Sequence, residues 1–355
     1  MGERLGILIT NYVFNKINKP TTTYEYLPFY EEACHQYDLS PCFFRMSDID
    51  VEKKKITAFV KGEDGYSLEV IDKPSVIHNR ILTVNKIDQD KMKAIQQEGV
   101  FIFNECTRYE KLKISTLLEE NMIIRQHLPK TLLANRENFL SLVKNFRDLI
   151  IKPNNGTFGS EIIRVSHENK EIWNVDFGYG TQKFSINRKW PMDLERSITN
   201  SSNIIQQRIP LATYKGNPFD LRISVQKNHL GNWQVSGIVA KVARKGKFVT
   251  NVATGGICLP IESIMKELPH LDLHQVKKEM IWFSLTVAKQ LDTHIPNLAD
   301  IGLDIGLTNE GFPMLIECNG RDLRITFREA NLLDEWKATH TTPVGYASYL
   351  LKKQK

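Results

Sequence analysis

Two apolar segments near the C-terminus, separated by a short polar turn, constrain the fold more than any other feature of this chain. Residues 301–307 and 313–318 flank residues 308–312, a Gly-containing segment typical of a β-hairpin turn. If the strands pair about the middle of that turn, Asp304 lies almost opposite Glu317. Facing carboxylates repel each other, so this pairing is unfavourable unless a cation lies between them.

The side chains around this hairpin indicate a divalent metal ion and a nucleotide. Asn319 points to the same face as Glu317 because side chains alternate along a strand. Oxygen ligands without His or Cys favour Mg²⁺ or Mn²⁺, and Mg²⁺ bound by few carboxylates usually completes its shell with water and phosphate. The hairpin therefore predicts a metal site of Asp304, Glu317 and Asn319. A hairpin with solvated acidic side chains is the alternative interpretation.

The composition is that of an ordinary soluble protein. With 355 residues, 41% of them hydrophobic and 25% charged, the chain is long enough for two or three domains. No apolar segment approaches the roughly 20 residues that span a bilayer, so we expect a cytoplasmic protein that does not bind membranes. Five scattered cysteines argue against disulfides and zinc. The net charge of +6 suits an anionic ligand, but the basic residues are too dispersed for a nucleic-acid surface.

Strand and helix patterns predict an α/β (α+β) fold class. Short apolar strands alternate with helices over residues 1–105, which indicates a small α/β domain. From residue 108 the pattern changes to a Lys-rich helix that is followed by several strands. A long helix at residues 273–291 precedes the hairpin, and a final helix is expected to close the chain.

A glycine-containing loop between two predicted strands is a candidate phosphate-binding segment. Lys152 ends the first strand, and Gly156 and Gly159 follow it. Glycine lets backbone N–H groups approach phosphates closely, and the lysine adds a mobile positive charge. It is not a Walker A motif, because no GK[ST] follows and the next element has a strand pattern. An ordinary hairpin loop is the alternative.

A strictly alternating strand carries Asp220 and Arg222 on one polar face, where they form either a structural ion pair or part of a site. Lys241 lies inside an apolar segment, so its ammonium must reach an anion or solvent. Thr250 and Asn251 begin a second polar, Gly-rich loop. A triphosphate with Mg²⁺ would supply the anion that these cations require.

The strand end at Gln206 and Gln207 has the pattern of a hinge between two lobes. Backbone groups at such a strand end can bind the edge of an adenine while Ile209 packs against its face. A core strand with exposed glutamines is the alternative interpretation.

Taken in order, these segments resemble the ATP-grasp superfamily, and the whole chain is similar to the YheC/YheD group of endospore coat-associated ATP-grasp proteins. The segment from Glu110 to Leu118 resembles the helix that carries the first ATP lysine, here Lys111. The resemblance implies a metal triad of Asp304, Glu317 and Asn319. It assigns to ATP the residues Lys111, Lys152, Gly156, Thr157, Gly159, Ser160, Gln206, Gln207, Ile209, Asp220, Lys241, Thr250 and Asn251.

The resemblance also implies an ATP-grasp fold behind an N-terminal α/β pre-ATP-grasp domain over residues 1–105. A central subdomain with the glycine-rich loop is expected over residues 106–205, and a C-terminal subdomain with the metal site over residues 206–355. The implied cofactors are ATP and Mg²⁺, with Mn²⁺ as a substitute. The implied partners are small-molecule or peptide carboxylates and amines, and spore coat components, which adds association with the spore coat to the expected location.

The implied activity is ligation of a carboxylate to an amine through an acyl phosphate. Arg222 is the candidate that stabilises the acyl phosphate, and Lys241 the candidate that binds phosphate during the reaction. Arg321 and Arg324 are candidates to bind an acceptor carboxylate, with a structural ion pair to Asp322 or Glu329 as the alternative. A small-molecule kinase of the same fold and a non-catalytic nucleotide-binding coat protein are the alternative functions.

Overall fold

A computed structural model describes residues 3–19, 23–82, 85–156, 162–169, 171–250, 252 and 255–354. Within these residues three β-sheets follow one another along the chain. None of the helices in the described part is long and apolar enough to cross a membrane.

The first sheet is built around four parallel strands near the N-terminus. Its strands are β1 Glu3–Leu8, β2 Leu39–Phe44, β3 Ile49–Asp50, β4 Lys55–Gly62, β5 Gly65–Asp72, β6 Val76–Asn79 and β7 Phe101–Phe103. Helices α1 Asn11–Phe14, α2 Leu27–Gln36 and α3 Lys86–Gln97 connect some of them. The order is β3-β4-β2-β1-β6-β7, with β5 on β4. The inner strands β2, β1, β6 and β7 are parallel, which explains the nearly continuous apolar sequence of β1.

The second sheet is antiparallel. Its elements are β8 Thr131–Leu133, α6 Arg136–Asn145, β9 Asp148–Pro153, β10 Ile163–His167, β11 Ile172–Asp176, β12 Thr181–Ser185, α7 Met192–Thr199 and β13 Asn203–Gln207, preceded by α4 Lys111–Glu119 and α5 Met122–Arg125. The strand order is β12-β11-β10-β9-β13-β8. Helices α6 and α7 bury Phe139, Leu142 and Leu194 in the same core as the apolar side chains of β9. The sequence patterns did not predict β11, β12 or α7.

The third sheet is also antiparallel and carries the predicted hairpin. Its elements are β14 Thr213–Tyr214, β15 Asn217–Lys227, β16 Trp233–Val242, β17 Ile257–Leu259, α8 Ile261–Met265, α9 Leu273–Asp292, β18 Asp300–Leu307, β19 Pro313–Asn319, α10 Ile325–Glu329 and α11 Leu333–Gln354. The order is β17-β16-β15-β18-β19, with β14 on β15. The predicted long helix is confirmed as α9, which packs Phe283 and Val287 on the sheet.

Two helices contribute to the core of a sheet that is not the nearest one in sequence. Ile114 and Leu118 of α4 belong to the apolar core beneath α9 of the third sheet. Val344, Ala347 and Leu351 of α11 belong to the core of the first sheet, against α2. Helix α11 therefore links the chain after the third sheet to the first sheet, and α4 belongs to the core of the third sheet. The predicted domain boundaries stay a prediction.

Candidate active site

The predicted hairpin is present with the predicted facing of its two carboxylates. Asp304 of β18 pairs with Glu317 of β19, and Gly302 pairs with Asn319. A β-bulge follows Asp304, but it leaves this pairing in place. The turn closes through the Thr308 N–H, which donates to a carbonyl on the far side of the turn. Register and side-chain alternation thus bring two carboxylates and an amide to one end of the sheet.

Asp304 is buried and lies at the centre of the site. Arg222 binds it in a bidentate manner, with Nε 2.8 Å from Oδ1 and Nη2 3.1 Å from Oδ2. Lys241 Nζ lies 2.8 Å from the same Oδ1, and Asn319 Nδ2 lies 3.4 Å from Oδ2. Burial opposes ionisation, but Arg222 and Lys241 hold the pKa of Asp304 well below its usual range. Asp304 is therefore an anion that two cations share.

The lysine that the sequence placed inside an apolar strand reaches two anions. Lys241 on β16 lies opposite Asp220 on β15, and their Nζ and Oδ1 atoms are 3.0 Å apart. Thr250 donates its hydroxyl to the other oxygen of Asp220. Burial raises the pKa of Asp220, and Lys241 partly offsets that effect. Burial lowers the pKa of Lys241, but Asp220 and Asp304 more than compensate and raise it. Of the two predicted outcomes for Lys241, an anion or solvent, the structure shows the first.

Asp322 is a site residue whose role the sequence did not predict. Its Oδ1 accepts from Arg222 Nη1 at 3.0 Å, and its Oδ2 accepts from the Ser224 hydroxyl. Asp322 is fully buried, and Gly302 leaves space for it, because a Cβ at that position would lie 2.6 Å from Oδ1. The polar face of β15, which includes Arg222 and Ser224, was the available signal. Arg222 is therefore fixed between Asp304 and Asp322.

Lys111 begins α4 and contacts both the hairpin and the loop after β9. Its Nζ lies 3.0 Å from Glu317 Oε1 and donates to the Gly156 carbonyl at 2.8 Å. The start of the helix is fixed to this loop because the Lys111 and Leu112 N–H groups donate to the backbone and side chain of Asn154. The helix that packs under the third sheet thus delivers a lysine to a carboxylate of the hairpin.

Lys152 at the end of β9 is a buried cation that the described residues leave unpaired. Its side chain is 8% exposed, and no hydrogen bond or ion pair joins it to any of the described residues. Burial lowers the pKa of Lys152 to about 8, Glu317 opposes that shift, and Lys111 adds to it. An unpaired buried ammonium is costly, so this position suits an anionic ligand. The predicted residues Thr157, Gly159, Ser160 and Asn251 lie outside the described residues.

The predicted hinge lies where the chain passes from the second sheet to the third. Gln206 donates its Nε2 to the Thr131 hydroxyl at 2.8 Å, and Gln207 accepts the Lys130 N–H at 3.3 Å through its Oε1. Ile209 follows and is buried. Its N–H has no acceptor among the residues that the structure describes. The side chains of Gln206 and Gln207 are thus engaged in hydrogen bonds within the protein.

The two arginines after the hairpin have different environments. Arg324 is fully buried and donates to Asp300 at 2.6 Å and to the Tyr30 hydroxyl at 2.8 Å. The expectation that Arg324 binds an acceptor is therefore wrong, and neither Asp322 nor Glu329 is its partner. Arg321 is partly buried, and its guanidinium lies 5.6 Å from the centre of the Tyr24 ring.

A buried ionic cluster behind the site fixes the first sheet to the third. Arg80 pairs with Glu25 at 2.6 Å and with Asp300 at 3.1 Å, and it donates to the Asp322 carbonyl at 2.6 Å. Arg324 adds a second cation to the same two carboxylates. Two positive and two negative charges balance here, so the cluster is structural, and through Asp322 it supports the position of Arg222.

The ligand chemistry of the site suits a hard cation with phosphate. In the described part of the chain, no group of three or more His, Cys, Asp or Glu side chains converges as a metal site. The candidate set is instead two carboxylates and one amide, Asp304, Glu317 and Asn319. Mg²⁺ is commonly held by one or two carboxylates and completes its shell with phosphate oxygens and water. Lysines from α4, β9 and β16 converge on the same place, so the residues fit a metal–nucleotide complex.

Comparisons with known proteins agree with this geometry. Residues 99–350 match the family model described as YheC/D like ATP-grasp. The endospore coat-associated protein YheD of Bacillus subtilis (strain 168) is 26% identical over 332 residues, which cover 88% of this chain and 71% of YheD.

Solved structures show the same fold at low identity. One is the ATP-grasp ligase PsnB in complex with a phosphomimetic variant of a minimal precursor, Mg and ADP. It has a TM-score of 0.50 and 15% sequence identity, and the alignment covers 96% of this chain and 99% of the PsnB chain. The VanG D-Ala:D-Ser ligase of Enterococcus faecalis gives 0.52 at 12% identity, covering 98% and 100%. The architecture is an ATP-grasp fold, and the chain belongs to the YheC/D-like ATP-grasp family.

Proposed function

We propose that the chain is an ATP- and Mg²⁺-dependent ligase that joins a carboxylate to an amine through an acyl phosphate. The observation that carries the proposal is Lys152, a buried ammonium near Glu317 and Asp304 that has no hydrogen-bond or ion-pair partner among the described residues. A bound phosphate group supplies the missing anion. Family membership supports nucleotide binding, and the likeness to PsnB and to the VanG ligase supports ligation.

Asp304, Glu317 and Asn319 are the residues that would hold Mg²⁺, and Mn²⁺ suits the same oxygen ligands. When bound, the ion would neutralise the negative charge that develops on the phosphates. Glu317 is free to act as a ligand once Lys111 transfers its hydrogen bond to phosphate. Lys111 and Lys152 then lie on the phosphate side of the hairpin.

Arg222 and Lys241 must change partners when the site is loaded. Asp304 cannot give the same two oxygens to a metal ion and to both cations. Arg222 stays anchored through Nη1 on Asp322, and Lys241 stays anchored on Asp220. Their remaining N–H groups become available to phosphate oxygens, where charge-assisted hydrogen bonds are strong. Arg222 is therefore the residue that we assign to stabilising the acyl phosphate.

The proposed reaction has two chemical steps. A carboxylate oxygen of the first substrate bonds to the γ-phosphorus, the bond between that phosphorus and the bridging oxygen breaks, and ADP leaves. The amine of the second substrate then attacks the acyl carbon, inorganic phosphate leaves, and the nitrogen loses a proton to solvent. The lysines and Arg222 act by preorganised positive charge around the phosphoryl group.

The test is release of ADP from Mg-ATP with pools of carboxylates and amines. We expect Glu317→Gln to reduce turnover by at least about 100-fold, because loss of even an outer-shell partner of a metal costs about 10- to 100-fold. The matched control is Glu195→Gln, since Glu195 forms one ion pair with Arg136 at 3.0 Å, the same distance as between Lys111 and Glu317.

The outcomes separate the possible functions. ADP release that requires both a carboxylate and an amine, and that falls in Glu317→Gln but not in Glu195→Gln, supports the ligase. ADP release without dependence on an amine indicates a kinase of this fold. Nucleotide binding without ADP release across all pools indicates a non-catalytic protein. Equal turnover of the two variants contradicts the metal site.

A further inference from the structure

Arg321 is a cation that forms no ion pair with a carboxylate in the described part of the chain. It follows Asn319 of the hairpin by two residues. Both carboxylates that the sequence offered as partners are occupied: Asp322 binds Arg222, and Glu329 binds Arg328. The Arg321 side chain is partly buried. A partly desolvated guanidinium is therefore held at the edge of the site.

The first sheet holds Arg321 in place from the other side. Tyr24 lies beneath its guanidinium, hydrogen-bonds to the Thr10 hydroxyl, and stacks on Tyr12 with 8° between the ring planes. Thr10 lies just beyond the end of β1. Ligands of open α/β sheets bind outside the carboxyl ends of the strands. Arg321 thus lies where the first sheet meets the hairpin of β18 and β19, which carries the proposed metal ligands.

The other cations of the site are already assigned. Lys111, Lys152 and Lys241 surround the proposed phosphate position, and Arg222 is bound to Asp304 and Asp322. The Arg80 and Arg324 charges are balanced by Glu25 and Asp300. Among the cations that the structure describes at this site, Arg321 is neither paired with a carboxylate nor placed at the proposed phosphate position. A planar guanidinium fork matches a carboxylate with two parallel hydrogen bonds.

We propose that Arg321 binds a carboxylate that is not consumed in the reaction, so that one substrate is an amino acid or peptide with a free carboxylate. This inference rests on the proposed ligase, and it specifies the substrate class of that same site. The carboxylate belongs either to the molecule that is activated or to the amine that attacks, and matched substrates distinguish the two.

The experiment compares amino acids and dipeptides with their carboxamides, in which only the free carboxylate is neutralised. One arm amidates the surplus carboxylate of the activated substrate, and the other amidates that of the amine. We expect one arm to lose turnover in the wild type. Arg321→Ala should raise KM for the free acid by about 10- to 100-fold, as expected for a hydrogen bond to a charged group. It should leave KM for the carboxamide and the affinity for Mg-ATP unchanged.

Arg328→Ala is the matched control, because this guanidinium also lies over an aromatic ring, 5.9 Å from the centre of Trp336. Arg321→Lys, which keeps the charge and loses the fork, should fall between wild type and Arg321→Ala. Calorimetric titration of the same acids and carboxamides into the protein with Mg-ADP gives a readout without turnover. Equal binding of acids and carboxamides overturns the assignment of Arg321. Absence of ADP release with all pools refutes the ligase, while the titration still decides on Arg321.

Discussion

Replacing Lys152 by methionine should stabilise the empty protein and abolish tight nucleotide binding. Methionine has nearly the same length as the lysine stem and carries no charge, so it fills the same buried volume. In the wild type the ammonium lies buried, and none of the residues that the structure describes pairs with it. If Lys152 served only packing, the substitution would destabilise the protein. If Lys152 serves to bind an anionic ligand, the substitution stabilises the empty protein and weakens ligand binding.

The cost of the buried charge follows from its pKa. Burial lowers the pKa of Lys152 from the usual 10.5 to about 8, with a smaller opposing effect of Glu317. At about 1.4 kcal/mol for each pKa unit, this corresponds to about 3 kcal/mol at neutral pH. The unfolded chain binds more protons between pH 8 and 10.5, so the wild-type stability rises across that interval. Lys152→Met lacks this rise, and its advantage should be complete below pH 8 and absent above pH 10.5.

The effect on binding has the opposite sign. A phosphate oxygen about 4 Å from an ammonium is attracted by about 4 kcal/mol at an effective dielectric constant of 20. Since about 1.4 kcal/mol is a factor of ten in affinity, Lys152→Met should weaken Mg-ATP binding by between about 100- and 1,000-fold. Mg-ATP should therefore raise the unfolding temperature of the wild type and leave that of the variant almost unchanged.

Urea unfolding at pH 7 and pH 10.5, and calorimetric titration with Mg-ATP, measure both effects. Lys278→Met on the exposed face of α9 is the control and should change neither quantity. A variant that is less stable than the wild type at pH 7 and binds Mg-ATP normally would refute the assignment of Lys152.

Two further substitutions test the supports of the site. Gly302→Ala places a Cβ 2.6 Å from Asp322 Oδ1 and should displace Asp322, which anchors Arg222. We expect a loss of about 1–3 kcal/mol of stability and a decrease in kcat of at least about tenfold. Gly180→Ala, whose new Cβ meets nothing within 4 Å, is the control, and equal kcat in both variants would contradict this role of Asp322. Arg324→Met leaves Asp300 and Glu25 with one cation fewer, so urea unfolding should show a decrease of about 3–5 kcal/mol in the free energy of unfolding. A decrease below about 1 kcal/mol would contradict this role, because the cluster would then tolerate an unbalanced charge.

The hairpin could be predicted from sequence because its determinants are local. The turn and the alternation fix which residues face each other, and they placed Asp304 opposite Glu317 despite the bulge that follows Asp304. The need of Lys241 for an anion followed from one charged residue in an apolar strand. It was satisfied by Asp220, its direct cross-strand neighbour, and by Asp304.

The rest of the site depends on tertiary contacts that leave little local signal. Arg222 and Asp322 are 100 residues apart, and only the folded sheet brings them together. Arg324 has the sequence of an exposed basic turn, but the docking of the first sheet buries it completely. Strand β12 is mostly polar because it is an edge strand with few inward-facing side chains, so it shows no apolar alternation.

Transfer of oxygen from the carboxylate substrate to phosphate tests the proposed reaction most directly. Carboxylates labelled with ¹⁸O are incubated with the protein, Mg-ATP and the amine pool, and the released phosphate is analysed by mass spectrometry. Attack of a carboxylate oxygen on the γ-phosphorus, followed by attack of the amine on the acyl carbon, predicts one ¹⁸O in each inorganic phosphate and an amide product. Phosphate without ¹⁸O, formed together with ADP, would contradict the acyl-phosphate mechanism.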